Sequence, residues 1–241
     1  MYLSFSSLDL DSVSLSVFFP CYNEEKNLEK LVIEVIQVLN NLVQQYEVLI
    51  INDGSKDNTK LIADGLSEKY NKVRVIHHQK NEGYGAALIS GFDNSTYEWV
   101  FFTDGDHQFS LKEIELLLAE IDDYDAIIGF RKKRQDPYHR IIYARMWNML
   151  IWLLFNLKVK DIDCAFKLIK TKMLKNITLQ SSGAVISTEL LVKLKSSGAS
   201  IKEVGVSHKP RLFGSQTGGN FKVILKAFLE LFKLYRVMRK Q

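Results

Sequence analysis

Two aspartates separated by one glycine, Asp104 and Asp106, are the residues of this chain best suited to chemistry. They follow the apolar run WVFFT at residues 99–103, which is typical of a strand covered on both faces. Because residues two apart in extended backbone point the same way, both carboxylates could share a divalent cation, and Gln108 adds an oxygen at that spacing. Such an oxygen-only set favours Mg2+ or Mn2+ bridged to substrate phosphates, while Gly105 would let a ligand approach the backbone. The alternative is a solvated turn.

The surrounding sequence alternates strand and helix patterns. Apolar runs predict strands at residues 13–19, 46–51, 73–78, 99–103, 125–130 and 204–208, with a short strand after residue 163. Pro20 is expected to end the first strand, and Ser110 with Glu113 is expected to form a capping box for the helix after the aspartates. This order predicts an α/β fold with a mainly parallel sheet and helices on both faces. Ligands of such sheets bind at the carboxyl ends of the strands.

Composition limits the classes of protein that fit. A chain of 241 residues, 46% hydrophobic, can build one large globular domain or two small ones. Two cysteines, Cys21 and Cys164, are too few for a disulfide framework, which favours a reducing compartment. The start of the chain has no basic leader typical of a signal peptide. No stretch reaches the roughly 18 apolar residues that span a bilayer.

Positive charge is concentrated in two segments. Residues 131–145 and residues 221–241 each contain six Lys or Arg and one acid, a net charge of +5 apiece. Since the whole chain carries +4, the remainder carries −6. This distribution predicts anionic partners at the two segments. The apolar run at residues 141–157 is expected to be either a core helix or a helix in a membrane interface, and residues 221–241 either an amphipathic membrane-surface helix or a docked terminal helix.

A dinucleotide-binding fold is the obvious competitor. Its glycine-rich turn should follow the first strand, where Glu24 and Glu25 would repel a pyrophosphate, so we reject a nicotinamide cofactor. The motif NEGYGAA at residues 81–87 contains Gly83 and Gly85 after the third strand. These glycines either let a helix N-terminus approach a nucleotide or serve as ordinary turn residues.

Two further acids are candidates for a cleft. Asp163 lies in an acid-bearing turn before a short strand and is expected to face the cleft. Glu189 lies early in a predicted helix, where it either complements the helix dipole or reaches the cleft. The glycine-rich basic stretch that begins at Lys209 is expected either to close over phosphates or to be a plain surface loop.

Seven stretches, in order along the chain, resemble motifs of family 2 glycosyltransferases, and the likeness is strongest to the dolichol-phosphate mannose synthase group. They are FPCYNEE (19–25), INDGSKDNT (51–59), NEGYGAA (81–87), DGDHQ (104–108), GFR (129–131), DCAFK (163–167) and PRLFGSQTGG (210–219). The resemblance implies the GT-A fold, a single nucleotide-sugar-binding α/β domain. We divide the chain into an extension (1–12), that domain (13–220, with a nucleotide-binding part 13–130 and an acceptor part 131–220) and an amphipathic helix (221–241).

The resemblance also implies roles for individual residues. Nucleotide contacts are assigned to Pro20, Tyr22, Glu24, Asp53, Asn81 and Gly83, with Asp53 reading the base. Metal ligation is assigned to Asp104, Asp106 and Gln108, and phosphate binding to Arg131, Arg145 and Arg211. The catalytic groups are then Asp104, Asp106, Arg131 and Arg211. His107 and Ala165 depart from the residues that relatives commonly carry, so the sequence does not name the hexose.

The implied reaction is the metal-dependent, inverting transfer of a hexose from a nucleotide sugar, of GDP-mannose or UDP-glucose type, to a polyprenyl or dolichyl phosphate. Two alternatives stay open. One is transfer to a sugar hydroxyl of a glycolipid or polysaccharide, with Asp163 or Glu189 as general base. The other is an inert module that binds lipid head groups or partners. Expected partners are the donor, the lipid acceptor, a membrane surface and a membrane protein, but no nucleic acid, with the protein on the cytoplasmic face of a membrane.

Overall fold

The computed structural model of the protein describes residues 10–132, 138–210 and 221–239; the side chains of residues 11, 139, 140 and 221–226 lie outside the description. Within these ranges, strands form one sheet in the order β3-β2-β1-β4-β6-β5-β7. Its strands are β1 (Ser14–Cys21), β2 (Gln45–Asn52), β3 (Val73–His77), β4 (Trp99–Thr103), β5 (Ala126–Arg131), β6 (Phe166–Lys170) and β7 (Ile201–Val206). Neighbours pair in parallel except at β6, which is antiparallel to β4 and β5. The predicted α/β class and mainly parallel sheet are confirmed.

Helices connect the strands. They are α1 (Leu28–Asn40), α2 (Thr59–Lys69), α3 (Tyr84–Asn94), α4 (Ile114–Leu118), α5 (Tyr138–Phe155), α6 (Thr171–Lys175), α7 (Ile186–Ser196) and α8 (Phe221–Met238). In α1, apolar residues three or four apart form one buried face, as the spacing predicts. Every residue of β4 is buried, because both faces of the sheet are covered. No helix in the described ranges is long and apolar enough to cross a bilayer.

The site edge of the sheet is set by strand order and direction. β1 lies between β2 and β4, so connections leave these central strands toward opposite sides, which opens a crevice at their carboxyl ends. Because β6 runs in the opposite direction, the residues before Phe166 lie at this same edge, where Phe166 pairs with Thr103 at the end of β4. The sheet takes strands from both the predicted nucleotide-binding part (13–130) and the predicted acceptor part (131–220).

Several sequence expectations about element ends are wrong. Pro20 lies within β1 and pairs with Ile51; β4 pairs with β1 only as far as Phe18, so the missing proline N–H falls where β1 has a single neighbour. Ser110 makes no capping hydrogen bond, so the predicted capping box is absent. The last strand starts at residue 201 and ends at residue 206, where it pairs with β5.

Glu113 explains the missing capping box. Its carboxylate accepts hydrogen bonds from the backbone N–H and the hydroxyl of Ser207, both 2.7 Å long. The chain after Ser110 forms a 3-10 turn at Leu111–Glu113 before the short α4. A long-range contact with the segment after β7 therefore replaces the local cap.

Helices α5 and α8 each have one buried and one exposed apolar side. They pack in parallel through edge-to-face contacts of Trp147 with Phe228 and of Phe155 with Tyr235, with ring centroids 5.6 and 5.8 Å apart. We call their exposed side the α5–α8 face; its apolar members are Ile142, Tyr143, Met146, Met149, Trp152 and Leu153 of α5 with Phe228, Leu229 and Phe232 of α8. One side of each helix thus packs on the protein, as the core-helix and docked-helix alternatives expected, while the membrane alternatives stay predictions for the exposed side.

Candidate active site

The turns that follow β1 and β2 are joined by hydrogen bonds. Asn23 has a positive φ of 59° and accepts a 2.8 Å bond from the backbone N–H of Lys56, while its own N–H donates to the hydroxyl of Ser55. The backbone N–H of Glu24 donates to the hydroxyl of Thr59 over 2.8 Å. The two turns, residues 22–27 and 53–58, therefore form one hydrogen-bonded surface at the carboxyl edge of β1 and β2, which we call the floor.

Three residues assigned to the nucleotide lie on this floor. Pro20 is half-buried, and Tyr22 is exposed with 41% of its surface accessible. Glu24 is buried, and its Oε2 accepts a 2.6 Å hydrogen bond from the side chain of Asn27. Tyr22 is thus the member of this set whose side chain is most open to a ligand.

Asp53, assigned to read the base, is buried and holds the next turn. Its Oδ1 accepts from the backbone N–H of Glu82 (2.8 Å), and its Oδ2 from that of Gly83 (3.0 Å). The same Oδ1 lies 2.7 Å from Nδ1 of His78, whose Nε2 lies 2.9 Å from the hydroxyl of Ser90. The carboxylate therefore fixes the turn that contains Gly83 and the exposed Asn81.

Gly83 and Gly85 make room for another part of the backbone. Gly83 has a φ of 103°, and a Cβ there would meet the carbonyl of Ser182 at 2.5 Å. A Cβ on Gly85 would clash with the carbonyl of Ser181, and the Gly85 N–H donates a 2.9 Å bond to Ser182 O. The spacing of these glycines is thus explained by contact with residues 181 and 182.

Asp104 and Asp106 lie at the end of β4, as the sequence predicted. Oδ1 of Asp104 accepts a 3.0 Å hydrogen bond from the hydroxyl of Tyr84, the first residue of α3. Asp106 is buried, and its Oδ1 accepts a 3.1 Å bond from the backbone N–H of Gln108. The glycine between them packs on β1: a Cβ on Gly105 would lie 3.3 Å from the sulfur of Cys21, so it faces the protein rather than a ligand.

The electrostatics of this pair suit a cation. Burial, together with the charge of Asp106, raises the pKa of Asp104 to about 7, although the Tyr84 hydrogen bond and the nearby Lys167 and Arg131 act to lower it. In the described part of the chain no group of three or more His, Cys, Asp or Glu side chains could hold a metal ion alone. Two carboxylates completed by substrate phosphates is the arrangement that Mg2+ commonly adopts, so the residues fit the predicted ion.

Gln108 links the acidic pair to the segment after β7. Its Nε2 donates a 3.1 Å hydrogen bond to the carbonyl of Lys209, and its own carbonyl accepts a 2.7 Å bond from the Lys209 N–H. The residue next to it, His107, has a φ of 58° and turns its ring toward α1, where Nε2 lies 3.1 Å from the carbonyl of Asn27. Metal ligation by Gln108 stays a prediction.

Arg131, assigned to a phosphate, is paired with Asp161. Its Nε and Nη2 donate to the two oxygens of Asp161 over 2.6 and 2.7 Å, and both side chains are about nine-tenths buried. Its charge acts to lower the raised pKa of Asp104, so the pair lies close to the acidic site. Asp161 was not among the predicted site residues, because it is separated from Arg131 by 30 positions.

Of the other two predicted arginines, the structure describes Arg145. Arg145 is exposed on α5 among the residues of the α5–α8 face. Arg211 lies outside the described residues. Of Arg131 and Arg145, the two predicted arginines that the structure describes, Arg131 is the one whose charge acts on Asp104.

Asp163 is exposed in the turn before β6. Its charge acts on Tyr84 and on Lys167, which places it near Asp104. Lys167 is fully buried, and its Nζ donates to the carbonyls of Ile162, over 3.1 Å, and Cys164. Burial lowers the pKa of this lysine. Lys167 holds the turn that carries Asp163, and sequence analysis did not single it out.

Glu189, the second candidate acid, is buried with 2% of its surface accessible. Its carboxylate accepts from the backbone N–H groups of Gln180 (3.1 Å) and Ser181 (2.7 Å) and from Nζ of Lys193 (2.6 Å). Burial alone would raise the pKa of Glu189, but these hydrogen bonds outweigh it and the pKa is lowered. The group is thus held as a carboxylate that anchors residues 180 and 181.

Comparison with known proteins decides the family. The family model described as glycosyl transferase family 2 matches residues 16–178, more than half of the chain. The chain belongs to this family. An uncharacterized protein of Methanocaldococcus jannaschii is 31% identical over 78% of this glycosyltransferase and 85% of its own length.

Two further relatives of this glycosyltransferase have names that refer to polyprenyl phosphates. Dodecaprenyl-phosphate galacturonate synthase of Rhizobium johnstonii is 27% identical over 92% of this chain and 68% of its own length. Undecaprenyl-phosphate 4-deoxy-4-formamido-L-arabinose transferase of Proteus mirabilis is 28% identical over 87% of this chain and 64% of its own length.

Solved structures share the fold. Glucosyl-3-phosphoglycerate synthase from Mycobacterium tuberculosis, in complex with Mn2+, uridine-diphosphate and phosphoglyceric acid, superposes with a TM-score of 0.74 at 16% identity, covering 93% of this chain and 79% of that one. The same enzyme with Mg2+ and uridine-diphosphate gives a TM-score of 0.71 at 18% identity over 92% of this glycosyltransferase and 79% of that chain. The likeness confirms the predicted GT-A fold.

Proposed function

We propose that this glycosyltransferase moves a hexose from a nucleotide sugar, of GDP-mannose or UDP-glucose type, to the phosphate of a polyprenyl lipid. The observation that carries the proposal is the position of Asp104 and Asp106 at the end of β4, in the crevice between the central strands. The named relatives, which act on dodecaprenyl and undecaprenyl phosphate, support the acceptor class.

The donor would lie across the turns after β1, β2 and β3. Tyr22 is open to a ligand on this floor, and Asp53 orders the turn at Asn81 and Gly83. Mg2+ or Mn2+ held by Asp104 and Asp106, with Gln108 as a third proposed ligand, would supply charge neutralisation for the departing nucleoside diphosphate. The chain's own contribution is to hold these oxygens in place before the donor arrives.

The acceptor's chemistry decides what the protein must provide. A phosphate monoester has a second pKa of about 6 and is largely dianionic at neutral pH, so it can attack the anomeric carbon without a general base. It needs cations that position it, and Arg131, Arg145 and Arg211 are the proposed ones. The pairing with Asp161 fixes the guanidinium of Arg131 in one orientation near the acidic pair.

Transfer to a sugar hydroxyl is the competing reaction, and it demands a base. Glu189 is poorly suited, because its pKa is lowered and its carboxylate already accepts from Ser181 and Lys193. Asp163 is exposed near the acidic pair and is the remaining candidate. Of the two candidate bases, a hydroxyl acceptor would therefore depend on Asp163, whereas a dianionic phosphate needs no base, and we favour the phosphate acceptor.

We further propose that the α5–α8 face lies on an anionic membrane surface. Apolar and aromatic side chains on an exposed helix face are typical of interfacial helices. The exposed charged residues beside them are basic: Arg145 on α5, and Lys233, Arg236 and Arg239 on α8. Helix α5 contains no Asp or Glu, and the single acid of α8, Glu230, is half-buried against Gly183. A second copy of the chain would oppose like charges, whereas anionic lipids would attract them.

The test is a panel of labelled UDP- and GDP-sugars offered with undecaprenyl phosphate in vesicles, followed by organic extraction. We expect label in the lipid phase from at least one donor, dependent on Mg2+ or Mn2+. Undecaprenol, which has the same chain and no phosphate, is the matched control acceptor and should receive no label. Transfer to both lipids, or to neither, would contradict the proposal.

A further inference from the structure

Residues 178–182, which we call the strap, are held by hydrogen bonds to the Glu189–Lys193 ion pair of α7. Glu189 accepts from the backbone N–H groups of Gln180 and Ser181, and Lys193 donates to the carbonyl of Thr178 and, over 2.6 Å, to Glu189. Both side chains are largely buried, with 2% and 11% of their surfaces accessible. Hydrogen bonds to a buried charge are among the stronger ones in proteins, so the strap is firmly fixed to α7.

The strap in turn fixes the start of α3. The carbonyl of Ser182 accepts from the Gly85 N–H, and there is no space for a Cβ at Gly83 or Gly85 against the strap carbonyls. Two backbones in such close contact cannot shift independently. A displacement of the strap would therefore displace the turn at residues 83–85.

The turn carries the residue that contacts the acidic pair. Tyr84 lies between the two glycines, and its hydroxyl donates to Asp104 over 3.0 Å. On the opposite side, Asp53 accepts from the N–H groups of Glu82 and Gly83. The Tyr84 turn is thus held between two buried carboxylates, Asp53 directly and Glu189 through the strap.

We propose that Glu189 is a positioning residue that acts through the strap and the Tyr84 turn to hold Asp104 in the orientation needed for the cation and the donor diphosphate. It does not touch substrate. This assignment rests on the proposed function for its catalytic consequence, but the contacts that connect residues 189 and 84 involve no substrate. The two parts can therefore be tested separately.

The coupling is tested by hydrogen exchange in the free protein. In Glu189→Gln, we expect the amide of Gly85 and the peptide covering residues 81–85 to exchange about tenfold faster or more, because one charged group no longer anchors the strap. Lys195→Met, an exposed substitution on the same helix, is the control and should match the wild type. Faster exchange confined to residues 180–181 would overturn the proposal.

A second variant keeps this test decisive if Glu189→Gln does not fold. Lys193→Met removes the ion pair but leaves the carboxylate bound to the strap amides, so it should raise exchange in the same 81–85 peptide by a smaller factor. Exchange at the wild-type rate in that peptide would count against the coupling.

The functional consequence is tested by a double-mutant cycle of Glu189→Gln and Tyr84→Phe. The readouts are the affinity for Mn2+ with UDP or GDP, and kcat and KM for the donor. Substitutions along one chain of contacts have non-additive effects. The loss of affinity and of kcat/KM in the double variant should therefore be no larger than the loss in the more impaired single variant. Multiplying losses, or a Glu189→Gln variant that binds Mn2+ and nucleotide normally yet transfers nothing, would overturn the positioning role. If the wild type transfers no sugar, the proposed function fails, while hydrogen exchange still decides the coupling.

Discussion

The hydroxyl of Tyr84 donates a 3.0 Å hydrogen bond to Oδ1 of Asp104, which joins the first residue of α3 to the first residue after β4. Burial and the charge of Asp104 raise the pKa of Tyr84 well above its usual value, so the hydroxyl stays protonated and can donate. The Tyr84 hydroxyl thus donates a hydrogen bond to Asp104, whose carboxylate lies beside that of Asp106. This contact makes the acidic pair part of a preorganised site.

Tyr84→Phe should therefore weaken cation binding without unfolding the protein. A hydrogen bond to a charged group contributes roughly 1.5–3 kcal/mol, so we expect about a tenfold or greater loss of Mn2+ affinity in the presence of nucleotide. Calorimetric titration measures it. Tyr70→Phe, at the opposite edge of the sheet, is the control, and an unchanged affinity in Tyr84→Phe would show that the hydroxyl is dispensable.

Asp106→Asn should keep the fold and lose most transfer activity, about a hundredfold or more, because a carboxylate ligand cannot be replaced by a weakly binding amide. Chelation of the wild type should abolish turnover, and added Mg2+ or Mn2+ should restore it. Initial rates and a thermal melt check both parts. Full activity of the wild type in excess chelator would rule out the metal role.

Breaking the Arg131–Asp161 ion pair should lower the free energy of unfolding. Arg131→Met alone takes the guanidinium away from the buried Asp161 carboxylate and should lower the free energy of unfolding by about 3–5 kcal/mol. The double variant Arg131→Met with Asp161→Leu removes both charges and should recover most of that loss. Denaturant titration of the three variants gives the values. Equal losses in the single and double variants would mean that the pair is not coupled as its geometry indicates.

Much of the fold was predictable because its signals are local. β1, β2 and β4 are buried along nearly their whole length, and α1 shows apolar residues at helical spacing, so their burial follows from the pattern itself. The site edge was also predictable, since the carboxyl ends of parallel strands lie together. Asp104 and Asp106 are at that edge as expected.

What the sequence could not show depends on distant contacts. The reversed direction of β6 brings Asp161 beside Arg131, and nothing in either segment encodes that pairing. Gly83 and Gly85 looked suited to a ligand, but their neighbours are the strap carbonyls almost a hundred positions later. A signal for Tyr84 did exist, because it lies between two such glycines in a turn that enters the cleft.

The α5–α8 face should bind anionic vesicles. Leu153→Glu and Phe232→Glu place negative charge on exposed apolar positions and should each weaken binding about fivefold, since a charge near such a surface is worth about 1 kcal/mol. Sedimentation with vesicles at low and high salt measures this. Leu61→Glu, equally exposed on α2, is the matched control and should bind as the wild type does. Identical binding by all three variants would exclude this face.

Asp163→Asn should retain appreciable transfer, because a dianionic phosphate needs no base. Its effect should be small beside that of Arg131→Ala, which we expect to impair use of the lipid phosphate while leaving nucleotide affinity largely intact. Steady-state kinetics with each substrate varied in turn separates the two. A carboxamide variant that binds donor and acceptor normally but transfers nothing would indicate a required base and a hydroxyl acceptor.

The linkage formed in the lipid product shows whether the sugar is transferred to the phosphate. Phosphorus NMR of undecaprenyl phosphate, recorded while the enzyme consumes its donor, distinguishes a phosphate monoester from a phosphodiester. We expect the monoester signal of the lipid to be replaced by a phosphodiester signal in proportion to the sugar consumed. A monoester signal that persists while sugar is consumed would contradict it.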